Sequence, residues 1–103
     1  MTELKPDYEP IEETQLKRSY GEGAHIIIQP ILQDDVIHYW IYASILVGRR
    51  RRLAQMKTQR GNPKAFVSFQ RALQWAQGME REKIIMPEVD FDDLPLASDM
   101  DFI

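Results

Sequence analysis

Residues 36–47, VIHYWIYASILV, form the longest apolar stretch of the chain and decide its predicted fold class. The stretch is rich in β-branched and aromatic residues, which favour extended backbone because their side chains pack on a pleated surface. Its odd-numbered positions are mostly aliphatic, whereas its even-numbered positions include His38, Trp40 and Tyr42. We therefore predict a long strand with one aliphatic face and one aromatic, polar-tipped face. A short buried helix is the alternative, since an apolar run of this length is compatible with both.

The flanking sequence predicts three shorter strands and one helix. The strands are AHIIIQPIL (24–32), where Pro30 indicates an edge or a bulge, RRRRLAQMKT (49–58) after Gly48, and KAFVS (64–68) after the turn QRGNP (59–63). Ser68 is a candidate N-cap, and apolar residues then recur at helical spacing at Phe69, Ala72, Leu73, Ala76 and Met79. KIIMPEV (83–89) predicts a further short strand or an arm.

The predicted fold class is α+β: a four-stranded antiparallel sheet followed by one C-terminal helix, with flexible acidic N- and C-terminal tails. Short connections favour antiparallel neighbours. We expect a flexible lead-in at 1–20, a basic domain of sheet and helix at 21–85, and an acidic-apolar tail at 86–103. One helix covers only one face of such a sheet, so the other face would meet solvent, a ligand or a second subunit.

Length and composition place the chain in a broad class. The 103 residues suffice for one domain, and the absence of cysteine excludes disulfides and thiolate metal sites. The first ten residues lack a basic region followed by an apolar run, so no secretory signal is expected. The longest apolar stretch is also shorter than the roughly 20 residues of a membrane span. We expect a soluble, cytoplasmic protein.

The net charge of −3 hides an uneven distribution along the chain. Residues 1–20 carry −2, residues 21–85 carry +5, and residues 86–103 carry −6 with no basic residue. A basic middle between acidic ends is typical of a polyanion-binding body with competing tails. The alternative is that these charges only solvate the surface.

The residues of catalytic chemistry are not arranged in a recognisable way. His25 and His38 have no partner at metal-ligand spacing, and the serines lie outside any nucleophile-elbow motif. GEG (21–23) precedes a predicted strand and therefore does not have the context of a phosphate-binding loop. We expect no enzyme, no metal and no cofactor.

The basic middle of the chain instead predicts a platform for single-stranded nucleic acid, which needs cations for phosphates and flat side chains for bases. The strand at 49–58 would place Arg51, Leu53, Gln55 and Lys57 beside the aromatic face, although a one-residue slip would reverse this. Core packing or a dimer interface is the alternative role for the aromatic residues, and a protein-binding surface is the alternative for the arginines. The candidate residues are His38, Trp40, Tyr42, Arg49, Arg50, Arg51, Arg52, Lys57, Arg60, Lys64 and Phe66.

The last residues, DFDDLPLASDMDFI (90–103), alternate acidic and apolar side chains. This pattern suits a partner protein with an apolar groove rimmed by Lys or Arg. The alternatives are packing on the body or on a second subunit, competition with nucleic acid, and disorder. The candidate partner-binding residues are Asp90, Phe91, Asp92, Asp93, Leu94, Pro95, Asp99, Asp101, Phe102 and Ile103.

Two family resemblances support this interpretation. Asp90, Phe91, Asp92, Asp93, Leu94 and Pro95 resemble, in order, the acidic tip of bacterial single-stranded DNA-binding proteins, although Leu96 replaces the family's phenylalanine. Four strands followed by a helix over 24–82 resemble the whirly-like binders related to a eukaryotic transcriptional coactivator. Those proteins dimerise and bind single strands across curved sheets.

The resemblances imply a small homodimeric single-stranded DNA-binding or replication-accessory protein. Its basic sheet would bind the strand, and its tail would recruit replication or repair proteins. The alternative is an adaptor or inhibitor of the mobile-element type, whose acidic tail occupies a DNA-binding surface of another protein.

Overall fold

The structure, a computed structural model, describes residues 6–19, 23–79 and 83–100. Its strands are β1 (Ile11–Glu12), β2 (His25–Gln33), β3 (Val36–Val47), β4 (Arg50–Lys57), β5 (Ala65–Phe66) and β6 (Lys83–Ile85). Its helices are α1 (Glu13–Ser19), α2 (Phe69–Gly78) and a 3₁₀ turn at Ala97–Met100. Strands β2, β3 and β4 and helix α2 confirm the elements expected at those positions.

The six strands form one mixed sheet in the order β1-β4-β3-β2-β6, with β5 beside the first half of β3. Strands β2, β3 and β4 are an antiparallel meander, whereas β1 pairs with β4 and β6 pairs with β2 in parallel. The expected four-stranded antiparallel sheet is therefore wrong. The added edge strands have two and three residues, which is too short for a period-2 pattern to be recognised in the sequence.

Two tight turns set the register of the meander. Asp34 and Asp35 both have positive φ, 53° and 62°, as the type I′ turn between β2 and β3 requires. Gly48, with φ 66°, occupies the first central position of the turn between β3 and β4, where a type II′ turn favours glycine. Because both loops have two residues, side chains opposite each other on the three strands are fixed on shared faces.

The helix face of the sheet is the side on which α2 packs. It carries the buried aliphatic residues Ile26, Ile28, Ile41, Ala43, Ile45, Ala54 and Met56, against Ala72, Ala76 and Met79. Ser68 caps α2, because its hydroxyl accepts a hydrogen bond from the Arg71 backbone N–H at 3.4 Å. The predicted aliphatic face of residues 36–47 is thus the one that packs under the helix.

The opposite side, the tail face, carries a second buried cluster of Ile27, Ile31, Trp40 and Tyr42. Leu53, Ile85 and Ala97 pack against this cluster. Ala97 belongs to the C-terminal region, so that region covers part of the face that a single helix leaves open. The sheet is therefore buried on both sides around Trp40.

The N-terminal region is part of the fold. Residues 1–20 were expected to be a flexible lead-in, but Ile11 and Leu16 are 1% and 0% exposed in the core of the helix face. The backbone N–H groups of Asp7 and Tyr8 both donate to the Leu53 carbonyl, at 3.0 and 3.2 Å. The expectation of a flexible segment is therefore wrong for residues 6–19. Two buried apolar side chains anchor this segment, although its sequence has no regular apolar spacing that would predict such packing.

The C-terminal region also lies on the body. Ile85 is opposite Ile27, and Leu96 is opposite Leu32 in an isolated parallel bridge. Leu94 and Pro95 are buried. A wholly flexible tail over 86–103 is therefore incorrect as far as Ala97. Asp101, Phe102 and Ile103 lie outside the described residues.

Across the described parts of the chain, no helix combines the length and apolar character required to cross a membrane.

Candidate nucleic-acid interface

The aromatic surface expected from the sequence is buried and is not accessible to a ligand. Register places Gln55 opposite Tyr42 and Arg51 opposite Leu46, so β4 does turn these side chains to the aromatic face, as predicted. However, Trp40 and Tyr42 are only 4% and 0% exposed. Stacking of bases needs an accessible ring face. In this structure Trp40 and Tyr42 are core residues, which was the alternative interpretation, and only His38 of the three is half-exposed.

Polar atoms are buried inside the tail face. The Trp40 Nε1 and the Gln29 Oε1 are inaccessible and make no hydrogen bond with the described residues. The Tyr42 hydroxyl is also inaccessible and lies beside the Gln55 side chain. Burial raises the pKa of Tyr42 to about 12, and the nearby Gln55 amide opposes the shift. The tail face therefore holds a neutral phenol at physiological pH.

Arg51 and Arg52 are engaged in holding the fold. The Arg51 guanidinium donates to the Ser44 carbonyl at 3.0 Å, to the Ser44 hydroxyl at 3.1 Å and to the Gly23 carbonyl at 2.8 Å. On the other face, the Arg52 guanidinium lies 3.4 Å from the Asp7 carboxylate and 5.8 Å from the centroid of the Tyr8 ring. Both cations are positioned by the fold rather than left for phosphates.

The remaining predicted cations lie at opposite ends of β4. Arg49 and Arg50 are exposed at the β3–β4 turn. Lys57, Arg60 and Lys64 follow the other end of the strand, about 23 Å away at about 3.3 Å per residue. The structure thus separates the predicted bases into two groups, one at each end of β4.

A half-exposed aromatic cluster lies beside the second group, at the edge of the helix face. It consists of Tyr39, Phe66, Phe69 and Trp75. The Tyr39 and Phe69 ring centroids are 5.7 Å apart, and those of Phe66 and Trp75 are 6.2 Å apart. β5 pairs Phe66 with Tyr39, so Phe66 lies on the helix face and does not join Trp40, contrary to expectation.

Lys64 lies over two rings of this cluster. Its Nζ lies 5.0 Å from the centroid of the Trp75 ring and 5.4 Å from that of Phe66. The backbone of Lys64 is fixed between two strands, because its N–H donates to the Met56 carbonyl and its carbonyl accepts from the Ile41 N–H. A cation is therefore held over two partly accessible ring faces.

A polar pocket of about 230 Å³ adjoins Lys64. Its lining residues are Glu12, Glu13, Thr14, Lys57, Thr58, Gln59 and Lys64. Two ammonium groups and two carboxylates share this wall, so the pocket itself has no net attraction for an anion.

Sequence reasoning missed Tyr39, Phe69 and Trp75 as site residues. Tyr39 is the aromatic exception on the aliphatic side of residues 36–47, and Trp75 widens the apolar stripe of α2. Both signals were visible, but only the two-residue connection from β5 to α2 brings the rings together.

The predicted partner-binding residues are divided between surface and core. Asp90, Phe91, Asp92 and Asp93 are exposed, with Phe91 51% exposed, whereas Leu94 and Pro95 are buried. Asp90 organises a turn: its Oδ1 accepts from the Asp92 N–H and its carbonyl accepts from the Asp93 N–H, both at 2.9 Å. Residues 90–93 are therefore accessible to a partner, whereas Leu94 and Pro95 are not.

No family model, curated protein or solved structure matches this chain. The resemblances to single-stranded DNA-binding and whirly-like proteins consequently stay predictions. Among the residues that the structure describes, no three His, Asp or Glu side chains are grouped in a way that could hold a metal ion.

Proposed function

We propose that this protein binds single-stranded nucleic acid through the aromatic cluster and Lys64. The observation that carries the proposal is the Lys64 ammonium held 5.0 Å over the Trp75 ring at the protein surface. A base can stack on a half-exposed ring while the ammonium contacts the adjacent phosphate, and no hydrogen-bond code is needed. Phe69, 36% exposed, offers a second ring beside Tyr39.

Neighbouring charges indicate the path of the strand. Arg60 and Lys57 belong to the same end of the sheet as Lys64, whereas Glu12 and Glu13 line the pocket that Lys57 and Lys64 also line. We expect phosphates to approach Lys64 and Arg60 and to avoid the two carboxylates, which would repel them. A cytoplasmic location fits this proposal, because the cysteine-free chain needs no oxidising compartment.

The test is titration of fluorescent single-stranded DNA, single-stranded RNA and duplex DNA with the full-length protein at increasing salt. Phosphate contacts release counterions, so affinity should fall as salt rises. Lys64→Gln should weaken binding and reduce the slope of log affinity against log salt by about one. Lys83→Gln is the matched control, since Lys83 is an exposed lysine on the opposite edge strand β6.

Loss of stacking is tested separately. Phe69→Ala should cost about 1–3 kcal/mol of binding free energy if a base stacks there. Val67→Ala, at a neighbouring side chain that is 68% exposed, should leave affinity unchanged. Absence of salt-sensitive binding at low ionic strength, or equal effects of the two lysine substitutions, would refute the proposal.

An adaptor role is the second candidate, favoured by the exposure of Phe91 among Asp90, Asp92 and Asp93. This turn would fit an apolar pocket rimmed by basic residues on another protein. Changing the three aspartates to asparagine retains an acceptor at position 90 and keeps Leu94 in place. A nucleic-acid binder should keep or gain affinity with this variant, whereas an adaptor should lose its complex with a basic protein.

A further inference from the structure

Two oppositely charged residues line the polar pocket beside Lys64 without pairing with each other. Glu12 lies opposite Lys57 where β1 runs parallel to β4, and both residues line the pocket. Among the side chains that the structure describes, the Glu13 carboxylate pairs with Lys17 at 3.5 Å, whereas Glu12 and Lys57 have no ion-pair partner. The pocket therefore offers a ligand one unpaired acceptor group and one unpaired donor group.

The backbone around these two side chains is fixed. β1 is paired with β4 at Glu12, and Lys57 also forms an isolated bridge with Pro63. The Thr58 N–H donates to the Asn62 carbonyl at 2.8 Å and closes the turn that follows. A ligand would meet a wall whose backbone is already ordered, which lowers the entropy cost of binding.

The pocket suits a small neutral ring with hydrogen-bonding groups better than it suits a phosphate. Its two carboxylates and two ammonium groups balance, so it does not attract an anion. Its volume of about 230 Å³ lies below the range of pockets for drug-sized ligands, which begins at roughly 300 Å³. Bases of a single strand are neutral and compact, and proteins recognise them by hydrogen bonds to their Watson–Crick and Hoogsteen edges.

Guanine matches the unpaired groups of the pocket better than the other bases do. Its Watson–Crick edge carries two adjacent donors, N1–H and the N2 amino group, which the two oxygens of a carboxylate can accept together. Adenine and cytosine place an unprotonated ring nitrogen beside their amino group, and thymine places carbonyl oxygens on both sides of one N–H. These acceptors would face a carboxylate oxygen. Guanine O6 and N7 are both acceptors that a lysine ammonium can bind.

We infer that this pocket takes one guanine base of a bound strand, with Glu12 accepting from N1–H and the N2 amino group and Lys57 donating to O6 and N7. The inference rests on the proposed function, because the base arrives in a strand held by Lys64 and the aromatic cluster. Lys64 belongs to both sites, since it lines the pocket and its ammonium lies 5.0 Å from the Trp75 ring centroid. The pocket thus adds a base preference to a surface that otherwise recognises no particular base.

The test compares single-stranded DNA oligonucleotides of equal length that differ at one position. A thymidine run with one central guanine is titrated with the full-length protein beside the same run carrying hypoxanthine, adenine or thymine there. The phosphates are the same in all four strands, so a difference in affinity comes from the base. The guanine strand should bind at least about fivefold tighter than the hypoxanthine strand, which lacks only the N2 amino group.

Glu12→Gln should abolish this preference, because it keeps the size of the side chain but replaces one acceptor oxygen with a donor amide. The thymidine run should bind this variant at least as tightly, since a negative charge is removed. Glu9→Gln, at an exposed acid outside the pocket, is the matched control and should retain the preference.

Two results separate the inference from the proposed function. Salt-sensitive binding with equal affinity for the guanine and hypoxanthine strands, or a guanine preference that survives in Glu12→Gln, would overturn the inference and leave the proposed function standing. Absence of salt-sensitive binding to all four strands would refute the proposed function and the inference together.

Discussion

Asp7 engages both backbone groups of Leu53. Its Oδ1 accepts from the Leu53 N–H at 2.7 Å, and its own N–H donates to the Leu53 carbonyl at 3.0 Å. This exchange covers the outer edge of β4 before β1 begins, and it leaves fewer unpaired backbone groups on a sheet edge. The same carboxylate also holds Arg52.

The Asp7 contact predicts a pH-dependent docking of the N-terminal region. The Leu53 N–H, and then the Arg52 charge, hold the pKa of Asp7 below its ordinary value. A carboxylate with a lowered pKa stabilises the folded state above the unfolded pKa of about 3.9, and this stabilisation is lost as the pH falls through the folded pKa. We expect faster hydrogen exchange of the Leu53 amide as the pH falls through this range, after correction for intrinsic exchange.

Asp7→Ala removes the acceptor for the Leu53 N–H, so it should give faster exchange at Leu53 already at neutral pH and remove the acid-dependent change. Glu9→Ala, at an exposed acid two residues away, is the control and should exchange like the unaltered protein. An unchanged Leu53 exchange rate in Asp7→Ala would contradict this role.

Leu16 tests whether the N-terminal region belongs to the core. Its side chain is fully buried, so Leu16→Ala should lower the free energy of unfolding by about 2–5 kcal/mol. Val67→Ala, at a position 68% exposed, should change it by less than about 0.5 kcal/mol. Urea unfolding of both variants is the measurement, and similar midpoints would show that the segment is dispensable.

Tyr42 predicts an alkaline loss of stability. Its pKa of about 12 lies above the usual value of 10 because burial disfavours the phenolate. A raised pKa stabilises the fold fully below pH 10, and the stabilisation decreases by up to about 1.4 kcal/mol per pH unit as the pH rises toward 12.

Tyr42→Phe should remove this alkaline step, because phenylalanine keeps the buried ring but has no proton to lose at high pH. The measurement is denaturant unfolding between pH 7 and 11.5. An alkaline loss of stability of the same size in Tyr42→Phe would contradict this assignment.

The two tryptophans should differ in accessibility. Trp40 is buried on the tail face, whereas Trp75 is half-buried beneath Lys64. In Trp40→Phe, the emission of Trp75 should be quenched readily by acrylamide, whereas in Trp75→Phe the emission of Trp40 should be shielded. Equal quenching of both variants would mean that Trp40 is accessible to solvent, as the aromatic face predicted from the sequence requires. Circular dichroism of each variant checks that the fold is retained.

Local signals in the chain predicted much of the central architecture. The alternation in residues 36–47 identified a strand with two different faces, and the turn at Gly48 allowed β4 to return with Arg51, Leu53 and Gln55 on the side of Tyr42. Ser68 and the apolar spacing after it predicted α2. These predictions succeed because backbone preference, turn geometry and side-chain period act between residues close in sequence.

The face of the sheet on which Phe66 lies could not be predicted from these local signals. Two residues of β5 carry too little pattern to indicate a face, and their register depends on the Lys64 backbone contacts with Met56 and Ile41. The predicted site at Trp40 failed for a related reason, because its burial depends in part on Ala97, more than fifty residues later in the chain.

The amino-acid sequence alone determined that this protein has a β-meander followed by a capped helix, with basic residues in the middle and acidic residues at the ends. Only the tertiary structure decided that both terminal regions cover sheet edges, that Trp40 and Tyr42 are inside, and that Lys64 lies over the rings of Phe66 and Trp75. The reason is physical: exposure of a side chain depends on which distant segments lower the free energy by packing over it, and this contribution belongs to pairs of residues far apart in sequence.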